Sequence, residues 1–348
     1  MAVDDPLLHS FIADLSEKKQ ELEQHPERLI KFEWKRDFIS GVRASFRQSI
    51  LDGERHLHTL ANLLSTLLLD GKFELHSNVI GSLPDEDRPF LIRERITQDT
   101  LFSVLDIDLG NHLLDNFRYQ KDRAWLPLEL TANFVEYIPL KQTANGVNRL
   151  TSRVKAEEEL WNKVADELFQ LDQLVTRDKH LRQYSKYVKD IFGIKIVCDD
   201  DATCMKVHEM LSTIKTSDPA WAKVDAVMPA AIDGKTLDDS FLDFIESKDY
   251  LTCEQNEMKK TGWKAIKSVV KWRERLFELQ VQPLGNYYLE LDHMAGPSHS
   301  SFKVQRDKLR DEVSLRVPLY GFYRKLLQMV FVGGDASFEY DKATVLIS

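Results

Sequence analysis

Hydrophobic residues recur at helical spacing through the first third of the chain. Apolar side chains repeat at intervals of three and four over residues 7–15, and a longer pattern of the same kind covers residues 34–69. A third helix is expected over residues 98–117, with a loop around residues 81–88 before it. Residues 1–118 are therefore predicted to be mostly helical.

The pattern changes after Ala144-Asn145-Gly146, a turn signal that marks the candidate domain boundary. Residues 191–197 (IFGIKIV) are short and rich in β-branched side chains, which predicts a buried strand. Residues 263–270 and 276–281 are further strand candidates. The segments of helical pattern after the boundary are residues 154–189, 202–214, 287–294, 300–312 and 318–331. Helices packed on a mixed β-sheet predict an α+β domain.

Composition indicates a globular protein. The chain has 348 residues, of which 43% are hydrophobic and 30% charged, and no unbroken apolar run approaches the ~20 residues that cross a bilayer. The N-terminus begins with acidic residues rather than the basic start of a secretory signal, so a cytoplasmic protein is expected. Cys198, Cys204 and Cys253 fit neither a disulfide framework nor a zinc pattern and are expected to pack as small buried side chains.

Net charge limits the classes of partner. The formal charge of −9 argues against broad, nonspecific nucleic-acid binding, which needs a surplus of lysine and arginine. Basic residues nevertheless cluster over residues 259–275. A local pocket for phosphate groups is compatible with that cluster.

Two groups of polar residues are candidates for holding a nucleotide and its metal ion. Arg153 and Lys155 point to the same side if their segment is extended, and Lys163 follows ten residues after the arginine. Asp190 comes directly before the predicted strand 191–197, where a carboxylate is able to bind a metal. Taken singly, each residue is better explained as a solvated surface group or an ordinary turn residue.

Two further groups are candidates for the other half of a phosphate-transfer site. Around Gly262 the backbone is able to approach a ligand closely, Trp263 offers a flat face for a nucleobase, and Lys259 and Lys267 are able to hold phosphates. Alternation on the strand 276–281 makes Glu278 a candidate metal ligand or general base on the polar face. Each group alone also fits a basic edge strand or a solvated strand face.

The order of these groups resembles the synthetase domain of the RelA/SpoT family. The matching strings are TSRVK at 151–155, DIFGIKIV at 190–197, KDYL at 248–251, KKTGWKAIKSVV at 259–270, FELQV at 277–281 and MAGPSHSSFK at 294–303. The resemblance implies a nucleotidyltransferase-type α+β fold with a mixed β-sheet flanked by helices. It also implies a Mg²⁺-dependent nucleotide pyrophosphokinase, which moves pyrophosphate from ATP to a nucleotide ribose.

The resemblance assigns the donor side of the site. Arg153 is expected against the adenine of ATP, with Lys155 and Lys163 on the phosphates. Asp190 and Glu278 are the expected catalytic residues and magnesium ligands, and Glu278 activates the ribose 3′-hydroxyl or shares the metal.

The acceptor side is assigned in the same way. Lys259 is expected on the acceptor phosphates, Trp263 is expected to stack on the acceptor base, and Gln280 supports that site. His299 and Lys303 match positions of the last family string, and the resemblance assigns them no definite role.

Several positions depart from the family pattern. Lys195 replaces an arginine and loses its bidentate fork, while Lys267, still expected at the acceptor, replaces a histidine. Thr261 replaces an asparagine, and Gln282-Pro283 replaces Arg-Thr. These changes fall on the acceptor side, so GTP or GDP, an adenine nucleotide and the 3′ end of tRNA are all left open as acceptors.

Three regions are expected along the chain. Residues 1–145 are a helical N-terminal region that regulates the enzyme or binds a partner, residues 146–335 are the pyrophosphokinase domain, and residues 336–348 are a tail. The sequence contains no His-Asp dipeptide of the kind found in the family's hydrolases, so no alarmone hydrolase activity is expected. His56 and His58 are two residues apart on a helix, point to different faces, and are expected to be a solvated or capped pair.

The leading functional hypothesis is synthesis of the alarmone (p)ppGpp or an adenine analogue from ATP. One alternative is a toxin-like pyrophosphokinase that acts on the 3′ end of tRNA, and another is a catalytically silent nucleotide-binding module. No membrane partner is expected, and a homo-oligomer is left open.

Overall fold

The structure of the chain, a computed structural model, consists of two compact units. The first comprises residues 1–52, 155–189 and 303–348, and the second comprises residues 53–154 and 190–302. The structure describes residues 5–25, 27–83, 86–104, 114, 117–121, 123–126, 128–154, 192–215, 217–219, 224, 241–252, 263–273, 275–294, 311–315, 318–331, 338–340 and 343–348.

The second unit is built on an eight-stranded sheet among the residues that the structure describes. Its strand order is β3-β2-β6-β7-β8-β11-β10-β9. These strands are β2 (Phe73–Leu83), β3 (Glu86–Ile96), β6 (Glu129–Pro139), β7 (Val147–Val154), β8 (Phe192–Cys198), β9 (Asp243–Asp249), β10 (Ile266–Trp272) and β11 (Arg275–Pro283). Strands β8 and β11 pair in parallel, whereas the other neighbours pair antiparallel, so the sheet is mixed. A separate short hairpin joins β4 (Tyr119–Lys121) to β5 (Ala124–Leu126).

One face of the large sheet is apolar. Alternation along the strands turns side chains such as Leu150, Ile194, Ile196, Leu279 and Val281 to this face, where all of them are buried. The same core takes in the apolar side of α4 (Asp201–Thr213) and residues 57–69, most of which lie in the C-terminal half of α2 (Arg36–Leu68). Burial of this face is the main source of stability for the second unit.

The opposite face of the sheet is polar. Helix α5 (Leu284–Met294) follows β11 directly, and its side chains contact polar residues of the central strands. The short helix α3 (Gln98–Ser103) is preceded by Thr97 as its N-cap, and the Thr97 hydroxyl accepts a hydrogen bond from the Thr100 backbone amide. The apolar side chains of the strands therefore face the core, and the polar side chains face the candidate site on the opposite side of the sheet.

The first unit has its own aromatic core. It contains α1 (Pro6–Gln24), α6 (Pro318–Phe331) and a three-stranded sheet in the order β1-β13-β12. The strands are β1 (Ile30–Trp34), β12 (Phe338–Tyr340) and β13 (Ala343–Ile347), with β1 and β13 paired in parallel. The ring of Phe11 lies 5.5 Å from that of Trp34, and the Tyr323 hydroxyl donates to the Leu15 carbonyl at 2.8 Å. These contacts join the N-terminal and C-terminal segments of the chain within one core.

The predicted elements after residue 190 are largely confirmed. The strand predicted at 191–197 is β8, that at 276–281 lies within β11, and the helix predicted at 202–214 is α4 with a shift of one residue. The strand predicted at 263–270 begins three residues late, as β10. The helices predicted at 287–294 and 318–331 lie within α5 and α6, whereas the helix predicted at 154–189 lies outside the described residues except for its first residue.

The prediction for residues 70–118 is wrong in part. Helices α1 and α2 are confirmed, but β2 and β3 form a long hairpin where helix and loop were expected, and α3 ends at Ser103 rather than continuing to residue 117. The turn at Ala144-Asn145-Gly146, taken as a boundary, joins the paired strands β6 and β7 of one sheet. Propensity failed here because strand pairing over long separations outweighed the local signal.

Two smaller expectations have different outcomes. Cys198 and Cys204 are free and fully buried, as expected for packing residues, while Cys253 lies outside the described residues. His58 is not solvated, because it is buried beside Glu54 with its Nε2 3.5 Å from the Glu54 Oε1. Within the described part of the chain, no helix is both long enough and apolar enough to cross a membrane.

A substitution at Gly53 tests the packing of α2 on β8. A Cβ atom at this position would collide with the buried ring of Phe192, 2.6 Å from its Cε2. We expect Gly53→Ala to lower the free energy of unfolding by ~1–3 kcal/mol, because overpacking outweighs the ~1 kcal/mol by which alanine favours a helix. Urea denaturation measures the change.

The matched control is Gly285→Ala in α5, where an added Cβ meets no atom within 4 Å. That variant is expected to be neutral or stabilising by up to ~1 kcal/mol. Equal effects at both glycines would contradict the packing of α2 against Phe192.

Candidate active site

A row of polar residues crosses the polar face of the sheet. Strand register places Glu136 opposite Thr151, Thr151 opposite Lys195, Lys195 opposite Gln280, and Gln280 opposite Lys267. Residues that are opposite one another on neighbouring strands point to the same face. Lys195, Gln280 and Lys267, which the sequence analysis selected from three separate strings, are therefore neighbours in the fold.

A second row lies beside the first. Arg153 on β7 and Glu278 on β11 are both opposite Gly193 on the strand between them. A Cβ atom at Gly193 would meet no atom within 4 Å, so there is open space above the glycine. Arg153 and Glu278 are two strand spacings apart, or about 10 Å. The row thus consists of a cation and a carboxylate on either side of an opening.

Glu278 is the buried carboxylate of this arrangement. Its side chain is 7% exposed, and its Oε2 lies 2.5 Å from the Lys267 Nζ. The Gln280 amide donates a hydrogen bond to the Glu278 Oε1. Lys267, expected to contact an acceptor, thus lies directly against the expected catalytic carboxylate, and Gln280 orients the same group.

A second carboxylate, Glu290, is partly buried and lies in α5 above the sheet. Its Oε2 accepts hydrogen bonds from the Lys195 Nζ at 2.7 Å and from the Gln282 Nε2 at 2.9 Å. Its Oε1 accepts a hydrogen bond from the Trp263 Nε1 at 2.6 Å. Burial raises the pKa of Glu290, but the Lys195 charge and the three hydrogen bonds outweigh burial and hold the pKa below the usual glutamate value.

The segment that carries Trp263 has a second attachment to α5. The Lys264 backbone amide donates to the Asn286 Oδ1 at 3.0 Å, and the Asn286 Nδ2 donates to the Gln282 Oε1 at 2.8 Å. The Lys264 side chain also pairs with Asp201 at 3.0 Å. On another side of the indole, the ring of Tyr250 lies 5.6 Å from the Trp263 ring at an interplanar angle of 62°.

A third carboxylate, Glu136, is buried and joins the other part of α5 to the sheet. The Tyr287 hydroxyl donates to its Oε1 at 2.6 Å, as does the Arg149 Nη1 at 3.0 Å. The Asn78 Nδ2 donates to its Oε2 at 3.1 Å. Burial, together with the neighbouring Glu136 charge, raises the pKa of the Tyr287 phenol above its usual range. The Arg149 guanidinium lies over the rings of Tyr287 and Tyr288.

The sequence analysis missed this network between α5 and the sheet. Asn286 and Glu290 are four residues apart in the segment predicted in part as a helix, a spacing that would have placed both polar side chains on one face. Glu136 offered no comparable signal, because no helix or strand was predicted over the segment that contains it. Six predicted site residues, Lys155, Lys163, Asp190, Lys259, His299 and Lys303, lie outside the described residues.

Of the two residues that the resemblance assigns to a metal ion, Glu278 lies among the described residues. Glu278 supplies a carboxylate on the polar face, whereas Asp190 precedes β8 by two residues and lies outside the described part of the chain. Among the described residues no group of three or more His, Cys, Asp or Glu side chains is arranged to hold a metal. Mg²⁺ commonly uses one or two protein carboxylates and completes its shell with water and substrate phosphates, so Glu278 and Asp190 fit that ion chemically.

Sequence comparison found no matching protein-family model and no matching curated protein. Several solved structures do match. Small alarmone synthetase 1 from Bacillus subtilis, bound to its product pppGpp, is 16% identical over 49% of this chain and 80% of its own, with a TM-score of 0.24. Small alarmone synthetase 2 from the same organism is 15% identical over 54% of this chain and 82% of its own, with a TM-score of 0.25.

A GTP pyrophosphokinase family protein from Streptococcus pneumoniae is 14% identical over 53% of this chain and 72% of its own, with a TM-score of 0.26. Five candidate residues from four of the strings quoted above lie together on one face of one mixed sheet: Arg153, Lys195, Lys267, Glu278 and Gln280.

Proposed function

We propose that the polar face of the second unit transfers pyrophosphate from ATP to the ribose 3′-hydroxyl of a second nucleotide. The observation that supports this proposal is the position of Glu278, a buried carboxylate held by Lys267 and Gln280 beside the opening over Gly193. Arg153 lies on the other side of that opening. A carboxylate next to cations suits a reaction in which a hydroxyl loses a proton while a polyphosphate is bound.

The donor nucleotide would occupy the side of Arg153. We assign the adenine of ATP to Arg153 and its phosphates to Lys155 and Lys163, as the family resemblance implies. Cations at these positions would neutralise the triphosphate and orient its β-phosphorus toward the acceptor.

Glu278 would act on the acceptor. In the proposed step the ribose 3′-oxygen attacks the β-phosphorus of ATP, the bond from that phosphorus to the α,β-bridging oxygen breaks, and AMP leaves. The hydroxyl proton passes to the Glu278 carboxylate, which Lys267 and Gln280 hold in place. Positioning of the two nucleotides would provide much of the rate acceleration.

Magnesium would be held by Asp190 and Glu278. When bound, Mg²⁺ neutralises the charge that develops on the transferred phosphates. Carboxylate oxygens are the ligands that this ion prefers, and a shell completed by ATP phosphates needs no third protein carboxylate.

The acceptor would lie against Trp263, with its phosphates near Lys259 and its base on the indole face. Tyr250 and Glu290 hold the indole from two other sides. A guanine nucleotide, an adenine nucleotide or the terminal base of tRNA is able to stack on such a face. The basic residues around β10 favour the tRNA alternative, whereas the net charge of −9 opposes it.

Turnover gives a direct test of the proposed function. Purified protein with Mg²⁺ and γ-labelled ATP is expected to label one of GTP, GDP, ATP, ADP or tRNA, offered separately, and to release AMP. The Asp190→Asn, Glu278→Gln double variant is expected to lose turnover by at least ~10³-fold, because proton transfer and charge neutralisation are both removed. The labelled product and AMP are separated and quantified.

Glu246→Gln is the matched control, since this carboxylate lies on the edge strand β9 opposite Val269, which is itself opposite Glu278. It is expected to keep activity. Survival of turnover in the double variant would overturn the catalytic assignment. Nucleotide binding without transfer by the wild-type chain would favour the silent binding module.

A separate prediction concerns Trp263, on which the acceptor base is proposed to stack. Trp263→Ala is expected to raise the KM for the acceptor by roughly five- to 150-fold, because stacking of one base on an aromatic ring contributes ~1–3 kcal/mol. The KM for ATP is expected to stay within twofold. Steady-state kinetics with each substrate varied in turn measures both constants, and an equal rise in both would contradict the assignment of Trp263 to the acceptor.

A further inference from the structure

Glu290 is engaged by three donors at once. Lys195 comes from β8, Gln282 from the end of β11, and Trp263 from the segment before β10, so one carboxylate joins three separate parts of the sheet. Its side chain is 19% exposed. A partly buried carboxylate that accepts from three donors is held firmly in place, because the loss of any donor leaves charge unpaired in a poorly solvated place.

The indole of Trp263 is fixed in direction by this contact. Its Nε1–H, which is the only polar group of the ring, donates to the Glu290 Oε1 at 2.6 Å. The ring of Tyr250 meets the indole from another side at an interplanar angle of 62°. One hydrogen bond and one ring contact together set the plane of the indole.

An amide in place of the Glu290 carboxylate would not reproduce the arrangement. A carboxylate accepts on both oxygens, whereas a glutamine offers one oxygen and one NH₂ group. Here the oxygens face Trp263 on one side and Lys195 with Gln282 on the other. In either orientation of the amide, its NH₂ group would face a donor that now finds an acceptor.

The ion pair with Glu290 also determines where the Lys195 charge is directed. Lys195 stands opposite Gln280 in the polar row, yet its ammonium is paired with Glu290 at 2.7 Å. Its charge is therefore directed toward the helix that carries Glu290. Lys195 thus helps to hold the carboxylate that accepts the hydrogen bond from Trp263.

We propose that Glu290 is a positioning residue of the acceptor site, which holds the Trp263 indole in the plane on which the acceptor base stacks. The inference rests on the proposed function, because it gives the Trp263 face to the acceptor. It predicts that Glu290 acts on acceptor binding through Trp263 and has little effect on ATP.

A general role in holding α5 on the sheet would have different consequences. Glu136 offers the comparison, since it is a buried carboxylate that likewise binds α5 to the sheet, in this case through the Tyr287 hydroxyl at 2.6 Å. If only attachment of the helix mattered, removal of either charge would have the same effect on the acceptor.

The test is a double-mutant cycle of Glu290→Gln and Trp263→Phe, with Glu136→Gln as the matched control. Glu290→Gln is expected to raise the acceptor KM about tenfold, the usual effect of losing one charge-assisted hydrogen bond, with the ATP KM within twofold. Phenylalanine keeps a stacking face but has no N–H group. In the Trp263→Phe background, Glu290→Gln is therefore expected to change the acceptor KM by less than about threefold.

Glu136→Gln is expected to lower the thermal midpoint while leaving the acceptor KM within about twofold. The proposal is overturned if Glu290→Gln has the same effect with and without the indole N–H, or if Glu136→Gln reproduces it. Should Glu290→Gln fail to fold, Glu290→Asp keeps the charge but withdraws the oxygen from the indole by one methylene, and the same cycle is run with it.

Failure of the proposed function gives a different result. If the wild-type chain transfers nothing but binds nucleotide, the cycle is measured on the dissociation constant by isothermal titration with GTP, GDP, ADP and ATP. Coupling between Glu290 and Trp263 in that constant supports the positioning role without catalysis, and its absence overturns that role. A wild-type chain that neither transfers pyrophosphate nor binds any of these nucleotides overturns both proposals.

Discussion

Removal of three carboxylates from full contact with water, on one side of a sheet, is the constraint on which the candidate site depends. Glu136, Glu278 and Glu290 all lie in poorly solvated positions, where a carboxylate is unfavourable unless cations and hydrogen-bond donors surround it. Each has a cationic partner, Arg149, Lys267 and Lys195 respectively, together with at least one amide, phenol or indole donor. These demands keep the polar face organised before any ligand binds.

Under this constraint, one part of the polar face holds α5 on the sheet and another part borders the open space over Gly193. Glu136, on the sheet, and Glu290, on α5, both lie where the helix contacts the sheet. The donors of Glu136 include Tyr287 of the helix, and those of Glu290 include Trp263 of the segment before β10. Glu278 instead stands in the row with Gly193, where the missing side chain leaves space. Preorganised charge beside such a space is a common way to stabilise charge that develops during a reaction.

Sequence reasoning succeeded best where one short segment contained a complete signal. The apolar, β-branched run at 191–197 and the alternation at 276–281 identified β8 and β11, and helical spacing identified α2 and α4. It failed for β2 and β3, whose paired positions include charged residues such as Arg93 and Arg95 and a proline at Pro89. These are features of an edge strand, and they weaken the local strand signal.

By itself, the sequence determined on which face of a strand the candidate residues lie, because alternation is a local property of two or three neighbouring residues. Glu278 and Gln280 were placed together on this basis, and the structure joins them by a hydrogen bond. Only the tertiary structure decided the partners across strands. Lys195 meets a carboxylate 95 residues away and Tyr287 one 151 residues away. Such pairs depend on strand order and register, which the packing of the whole sheet selects and no single segment encodes.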